Sequence, residues 1–207
     1  MINRKFFFEQ VRATLFTGKL SQGQVSGLAF ILDSWEGNHA RKDDRWLAYA
    51  LGTAFHETSF TMQPINELGG GGYFFRMYDP QSPVPRRAAL ARANGNTSPG
   101  DGVLFHGRGY VQLTWRSNYA KMGRQFDTDL TSNRGAADKV LGAELAARIM
   151  FFGMETGAFT GRKFADYFNG GSTDWKNARR IINGVDCADN IANYARKFYA
   201  AISYTTG

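Results

Sequence analysis

The chain has 207 residues, of which 43% are hydrophobic and 14% aromatic, and its formal net charge is +7. This length and apolar content predict one globular domain with a core large enough to fold without covalent crosslinks. Cys187 is the only cysteine in the sequence, which excludes an intrachain disulfide and suits a reducing cytoplasm. The sequence has no apolar run of about 18 residues and too short an N-terminal phenylalanine cluster for a signal peptide, so we expect neither a transmembrane helix nor a leader.

The basic composition indicates attraction to polyanions such as nucleic acid, anionic lipid or the acidic polymers of a bacterial envelope. Solubility alone is an equally good explanation of the charge. The densest basic clusters are Arg86-Arg87 and Arg179-Arg180. Because the basic residues are otherwise scattered, we expect no nucleic-acid partner.

The first 60 residues predict two helices. Ser21 and Gln24 form a capping-box pattern, and the apolar side chains that follow at helical spacing predict a helix over 21–35. After the polar loop 36–42, a second helix is predicted with a broad apolar face. We expect this helix to end between residues 57 and 64, where a proline follows.

The middle of the chain predicts little regular structure. Four consecutive glycines, Gly69 to Gly72, and several prolines interrupt residues 65–108, which we expect to be mostly irregular apart from a short helix at Arg86–Ala93. Order returns as a short extended segment at Val111–Leu113. Later helices are predicted at Leu141–Met154, Asp174–Ile182 and Asp189–Ile202. The fold class is therefore mainly α, with at most a short β-hairpin near the four glycines.

Two carboxylates ten residues apart are the first candidates for chemistry. Glu57 ends the second helix beside Phe55 and Phe60, and both the helix dipole and apolar burial disfavour its anion. We therefore expect Glu57 to keep its proton, as a general acid must. Glu67 lies in a polar, glycine-rich segment that we expect to be flexible, where it should stay ionised. From spacing alone, a structural role for both residues is the better-supported explanation.

A metal site is a weaker hypothesis. His56 and Glu57 begin an H-E-x-x-H pattern, but its last position is Phe60, so the zinc-protease motif fails. A zinc amidase site assembled from His39, His56, His106 and a carboxylate or Cys187 remains an alternative, although the spacing matches no metal signature. We expect no cofactor. Cys187 itself is more typical of a small core residue than of a nucleophile.

Polar side chains in two later segments could bind sugar. Gln112 and Thr114 alternate with apolar residues, so an extended segment would present an amide and a hydroxyl on one face. An ordinary half-buried strand explains this pattern equally well. Asn183-Gly184 follows an apolar helix, where a C-terminal cap is the better local explanation.

Four segments together resemble the catalytic domain of class I chitinases, glycoside hydrolase family 19, and more narrowly its phage and prophage endolysin branch. The segments are AFHETSF, PINELGG, SPGDGVLFHGRGYVQLTWRSNY and RIINGVD. They occur in the order of the family and frame nearly all of the chain from about residue 45 to 200. The resemblance implies a mainly α, lysozyme-like fold with two helical lobes and a central cleft.

The resemblance also implies a domain plan and site residues. Residues 1–207 would form one catalytic domain, with an N-terminal helical segment at 1–43, a family core at about 44–200 and no separate wall-binding module. Glu57 would be the general acid and Glu67 the general base. Thr114 would hold the attacking water. The sugar-binding and supporting residues would be His56, Gln112, Asn118 and Asn183.

The implied reaction is inverting hydrolysis of a β-1,4 glycosidic bond, for which carboxyl groups about 6.5–9.5 Å apart leave room for water. We expect the substrate to be peptidoglycan and the protein to be a monomeric endolysin that lyses bacteria, Gram-negative hosts in particular. We expect it to stay in the host cytoplasm until holin-formed lesions release it to the wall. Alternatives are a chitinase acting on chitin oligomers, a zinc N-acetylmuramoyl amidase, and a non-enzymatic module that binds cell wall or nucleic acid.

Overall fold

The computed structural model describes residues 1–205 and confirms the mainly α prediction. Within these residues, ten α-helices are joined by loops, three 3-10 helices and two short antiparallel strand pairs. No helix in this part of the chain is both long enough and apolar enough to cross a membrane.

The α-helices in chain order are α1 (Arg4–Thr14), α2 (Gln22–Asn38), α3 (Asp44–Glu57), α4 (Gly71–Tyr78), α5 (Pro85–Ala93), α6 (Asp101–Leu104), α7 (Arg116–Gln125), α8 (Arg134–Asp138), α9 (Ala143–Thr156) and α10 (Ala188–Ala201). The 3-10 helices are Lys139–Leu141, Phe164–Asp166 and Asn177–Ile181. The strands β1 (Ile65–Asn66) and β2 (Arg108–Gly109) form one pair, and β3 (Phe168–Asn169) and β4 (Ser172–Thr173) form the other.

The chain divides into two compact units. The first contains Met1–Gln63 together with the chain from Ala147 onward, and the second contains Pro64–Ala146. Glu57 therefore belongs to the first unit and Glu67 to the second.

The first unit is built around α3 and α10. Every residue of α3 from Leu47 to Phe55 is buried. The backbones of the two helices approach so closely that a Cβ on Gly52 would lie 2.8 Å from the backbone nitrogen of Ala195. Ser21 caps α2 with the predicted capping box. Close packing of small residues thus fixes the C-terminal end of α3, where Glu57 lies.

Two predicted elements are corrected by the first unit. The hairpin, expected near Gly69 to Gly72 of the second unit, is instead formed in the first unit by β3 and β4 around Gly170-Gly171. Arg45 on α3 anchors it by donating to the carbonyl oxygens of Ser172 and Asn169, each at 2.9 Å. The helix predicted over Asp174–Ile182 is only the five-residue 3-10 helix at Asn177–Ile181.

The second unit corrects the expectation that residues 65–108 are mostly irregular, because this range contains α4, α5 and α6. Pro85 occupies the first turn of α5, where a missing N–H costs nothing, and α5 confirms the short helix predicted there. The fully buried carboxylate of Asp79 accepts bonds from the N–H groups of Gly100, Gly102 and Gln81. The buried carboxylate of Asp79 therefore holds together the loops after α4 and before α6, through contacts that sequence patterns do not reveal.

The extended segment predicted at Val111–Leu113 is instead a tight turn. The N–H and carbonyl of Arg108 exchange hydrogen bonds with Leu113 at 3.2 and 2.8 Å. Closing this loop requires positive φ at Gly109 (85°) and Gln112 (52°). Gln112 and Thr114 consequently do not lie on one face of a strand.

Candidate active site

Glu57 is the last residue of α3, and its carboxylate forms an ion pair that the sequence analysis did not foresee. Arg179 Nη1 donates to Glu57 Oε1 at 2.6 Å, with 4% of the Arg179 side chain and 16% of the Glu57 side chain exposed. Arg179 Nε also donates to the carbonyl oxygen of Asp186 at 3.2 Å. Arg179 was counted only as part of a basic cluster. The signal that could have found it is its place between Ala178 and Ile181, both fully buried.

The environment of Glu57 differs from the one expected. Phe55 is buried as predicted, but Phe60 is 46% exposed, so apolar shielding is weaker than supposed. The guanidinium of Arg179 adds a positive charge beside the carboxylate, in addition to the partial burial and the helix dipole that the sequence indicates. The structure therefore places Glu57 at the end of α3, next to a fixed positive charge.

Glu67 follows β1 and is held from three sides within the second unit. Its Oε1 accepts hydrogen bonds from the hydroxyls of Tyr78 at 2.7 Å and Tyr73 at 3.2 Å. Its Oε2 accepts from the backbone N–H of Gly107 at 3.1 Å, and its own N–H donates to the Gly107 carbonyl at 2.8 Å. The expectation of flexible surroundings is thus wrong, because the pairing of β1 with β2 anchors the backbone beside this carboxylate.

The two tyrosines are firm donors to Glu67. Burial and then the hydrogen bond and charge of Glu67 raise the pKa of Tyr78 well above its usual range. Burial and the Glu67 charge likewise raise the pKa of Tyr73. Both hydroxyls therefore keep their protons at any ordinary pH. Three hydrogen-bond donors therefore converge on one carboxylate and fix its orientation, as a general base requires.

His106 is a buried residue that packs beside the segment carrying Glu67. Its ring is 2% exposed and stacks on Phe74 with ring centroids 4.0 Å apart. Nδ1 lies 2.8 Å from the Val103 carbonyl oxygen, and Nε2 lies 3.1 Å from the side chain of Asn66. Burial, followed by the charge of Arg108, lowers the pKa of His106. A neutral imidazole packed in this way ties β1 to the segment before β2.

Three predicted site residues of the second unit form a continuous polar chain. Gln112 Nε2 donates to the carbonyl oxygens of Gly109 at 3.1 Å and Ile65 at 3.3 Å. Thr114 Oγ1 donates to the Gln112 carbonyl at 2.8 Å, and Asn118 Nδ2 on α7 donates to the Thr114 carbonyl at 2.9 Å. A hydroxyl that donates its proton keeps lone pairs with which it can accept from water. The water-holding role of Thr114 and the sugar contacts of Gln112 and Asn118 stay predictions.

The other two predicted site residues belong to the first unit. His56 is half-buried in the last turn of α3, and its carbonyl oxygen accepts from the N–H of Ser59 at 3.2 Å. Asn183 is exposed in the turn after the 3-10 helix Asn177–Ile181, and its N–H donates to the Arg179 carbonyl at 3.0 Å. This turn links Asn183 to the arginine that contacts Glu57. The sugar-binding role of Asn183 and the supporting role of His56 remain predictions.

The residues considered for a zinc site are not grouped as metal ligands within residues 1–205. His39 Nδ1 lies 2.7 Å from Glu155 Oε1, and its ring stacks on Trp35. Across residues 1–205, no group of three or more His, Cys, Asp or Glu side chains is arranged to hold a metal ion. Cys187 is exposed at the start of α10 with φ of 56°, so the expectation of a small core residue is wrong. The turn that begins α10 leaves this side chain outside the core.

Comparison with solved structures defines the class of fold. A chitinase C from Streptomyces griseus superposes with a TM-score of 0.62 and 16% identity, covering 96% of this chain and 75% of that one. A bacterial family 19 chitinase, described as differing from the plant enzymes, gives a TM-score of 0.58 with 20% identity, covering 95% and 94%. The chain therefore has the mainly α fold of the family 19 chitinases.

One plant protein matches by sequence. Endochitinase A2 of Pisum sativum is 29% identical over 103 residues, which cover 46% of this chain and 30% of the pea protein. The chain thus matches less than a third of that relative. No family model matches the sequence.

Proposed function

We propose that this protein is a glycoside hydrolase that cleaves β-1,4 bonds in a polysaccharide containing N-acetylglucosamine, with inversion. The observation that carries this proposal is the pair of differently held carboxylates at the positions of the family motif. Glu57 is paired with a single guanidinium, while Glu67 accepts from two hydroxyls and one backbone N–H. Inverting hydrolysis needs two carboxyl groups with such distinct roles.

In the proposed reaction, Glu57 donates its proton to the oxygen of the leaving sugar as the glycosidic bond breaks. Glu67 takes a proton from water as the water oxygen bonds to the anomeric carbon from the opposite face. Thr114 accepts a hydrogen bond from that water and so holds it for attack. Solvent then returns a proton to Glu57 and removes one from Glu67. Arg179 keeps the carboxylate of Glu57 in place after it has lost its proton.

For the natural polymer we propose peptidoglycan, with chitin as the second candidate. The resemblance to endolysins favours peptidoglycan, and the chitinase names of the relatives favour chitin. A groove of about 780 Å³ in the first unit adds support for an anionic envelope, because four basic residues and one acidic residue, Glu9, line it. The basic residues are Arg4, Lys5, Arg12 and Lys19. We further propose a monomer that stays in the host cytoplasm until lesions in the inner membrane release it.

The test compares two substrates with matched variants. Wild type, Glu57→Gln, Glu67→Gln and the surface control Glu144→Gln are assayed on outer-membrane-stripped Gram-negative cells and on N-acetylglucosamine hexamer. We expect each active-site variant to lose about 10²–10⁴-fold in rate and Glu144→Gln to match wild type. More than about a tenth of wild-type activity in Glu57→Gln would contradict its role as the acid.

Product chemistry separates the remaining candidates. New reducing ends from cell walls support glycosidic cleavage, whereas new amino groups and inhibition by a chelator would support a zinc amidase. Cleavage of the hexamer without cell lysis would make the protein a chitinase. Binding to walls without any new ends would leave only a binding module.

A further inference from the structure

The two carboxylate oxygens of Glu67 are not equivalent. Within residues 1–205, Oε1 accepts from both Tyr73 and Tyr78, whereas Oε2 accepts only from the N–H of Gly107. Each carboxylate oxygen offers two lone pairs in the plane of the group. The two tyrosines therefore occupy both lone pairs of Oε1, and one lone pair of Oε2 is left to receive a proton.

The hydrogen bonds from the two tyrosines to Oε1 differ in length, and the two side chains differ in exposure. Tyr78 is half-buried, approaches to 2.7 Å and packs edge-on against Trp115 with ring centroids 5.1 Å apart. Tyr73 is 43% exposed and its hydroxyl lies at 3.2 Å. Both tyrosines lie on α4. Tyr78 is thus the stronger donor, and Tyr73 is the weaker and more accessible one.

We propose that Tyr73 and Tyr78 are positioning residues for the general base: by saturating Oε1 they direct proton transfer from water to Oε2. This inference rests on the proposed function, because it assigns work to groups around the same carboxylate. Neither tyrosine is required to touch the reacting atoms. Their effect is on the orientation of Glu67.

Other ionisable groups also act on Glu67 within the second unit. His106 and Tyr119 are close enough to interact with its charge, and Arg108 donates to the carbonyl oxygens of Leu104 and His106. Arg87 acts on Tyr73. Because Tyr→Phe substitutions leave all of these groups in place, a change in pH dependence reports the lost hydroxyl.

Removing either tyrosine hydroxyl should shift the pH dependence of the reaction in a defined direction. A hydrogen bond to a carboxylate stabilises its charged form more than its neutral form, so the loss of one bond makes the group easier to protonate, by about one pH unit. Tyr78→Phe should therefore move the acid limb of the kcat/KM profile upward by about one pH unit and lower kcat, with KM nearly unchanged. Tyr73→Phe should move it in the same direction by less than half as much. The double variant should show the largest shift.

The experiment measures pH–rate profiles on N-acetylglucosamine hexamer for wild type, Tyr73→Phe, Tyr78→Phe, the double variant and the control Tyr199→Phe. Tyr199 is an exposed tyrosine of the first unit, and its variant should reproduce the wild-type profile. Circular dichroism verifies the fold. If Tyr78→Phe is unstable, the exposed Tyr73→Phe variant still decides the question.

The possible results distinguish failure of this inference from failure of the proposed function. An upward shift that is larger for Tyr78→Phe than for Tyr73→Phe supports the proposal. A lower kcat with an unmoved acid limb in both variants overturns it, because a merely structural role predicts that result. If wild type cleaves neither the hexamer nor peptidoglycan, the proposed function fails and this inference fails with it.

Discussion

Replacement of Arg179 by methionine tests the contact that the sequence did not reveal. Methionine keeps most of the buried volume but removes the donors to Glu57 Oε1 and to the Asp186 carbonyl. Breaking a fully buried ion pair costs about 3–5 kcal/mol, and a single bond to a charged group about 1.5–3 kcal/mol. Because 16% of the Glu57 side chain remains exposed to water, we expect a loss of about 2–4 kcal/mol in unfolding free energy.

A double-mutant cycle isolates the pair. Glu57→Gln retains an oxygen that can accept from Arg179, so this change alone should cost about 1 kcal/mol. In the double variant the cost of the second change should fall, giving a coupling energy of about 1–2 kcal/mol. Unfolding in urea, followed by tryptophan fluorescence and by circular dichroism, provides the four free energies.

The adjacent arginine provides the control. Arg180 is exposed, and Arg180→Met should change stability by no more than about 0.5 kcal/mol. The reasoning is refuted if Arg179→Met is as mild as Arg180→Met. It is also refuted if the two changes at Arg179 and Glu57 add to within about 0.3 kcal/mol.

Three further predictions concern packing, pH and the polar chain. A Cβ on Gly27 would lie 1.8 Å from the Met62 carbonyl oxygen, so Gly27→Ala should lower the unfolding free energy by about 2 kcal/mol or more. A Cβ on Gly37 of the same helix would meet nothing within 4 Å, so Gly37→Ala should raise the unfolding free energy by about 0.5–1 kcal/mol in the same urea assay. The folded-state pKa of His106 lies below its ordinary 6.5, so the unfolded chain binds its proton first and this part of the stability is lost as the pH falls below about 6.5. The stability difference between wild type and His106→Gln should therefore shrink on acidification, and a constant difference would contradict the lowered pKa. Thr114→Val should reduce kcat about fivefold while Thr114→Ser keeps most activity, since one hydrogen bond to water is worth about 1 kcal/mol. Equal rates in all three proteins would remove Thr114 from the mechanism.

Helices with local signals were predictable from sequence. The capping box at Ser21 and the apolar face of α3 depend on neighbouring residues, and the structure has both helices where these patterns indicate. The helices α4 and α6 were missed because their order depends on distant contacts. Asp79, for example, accepts from N–H groups more than 20 residues away.

In the candidate site, too, the sequence predicted some features and not others. The positions of Glu57 and Glu67 followed from motif order, but their partners did not. Arg179 reaches Glu57 across 122 residues of sequence, and Gly107 reaches Glu67 across 40. A local argument about burial and helix dipoles includes neither contact. The hydrogen-bond partners of both carboxylates therefore depend on tertiary structure that the sequence pattern alone does not contain.

The stereochemistry of hydrolysis tests the central claim most directly. Wild-type protein is mixed with N-acetylglucosamine hexamer and the anomeric protons of the products are followed by NMR before mutarotation equilibrates them. Direct attack by a water that Glu67 activates inverts the β bond, so the account predicts that new reducing ends appear first as the α-anomer. First appearance of the β-anomer would contradict it, because retention requires a covalent or substrate-assisted intermediate that these two carboxylates are not proposed to form.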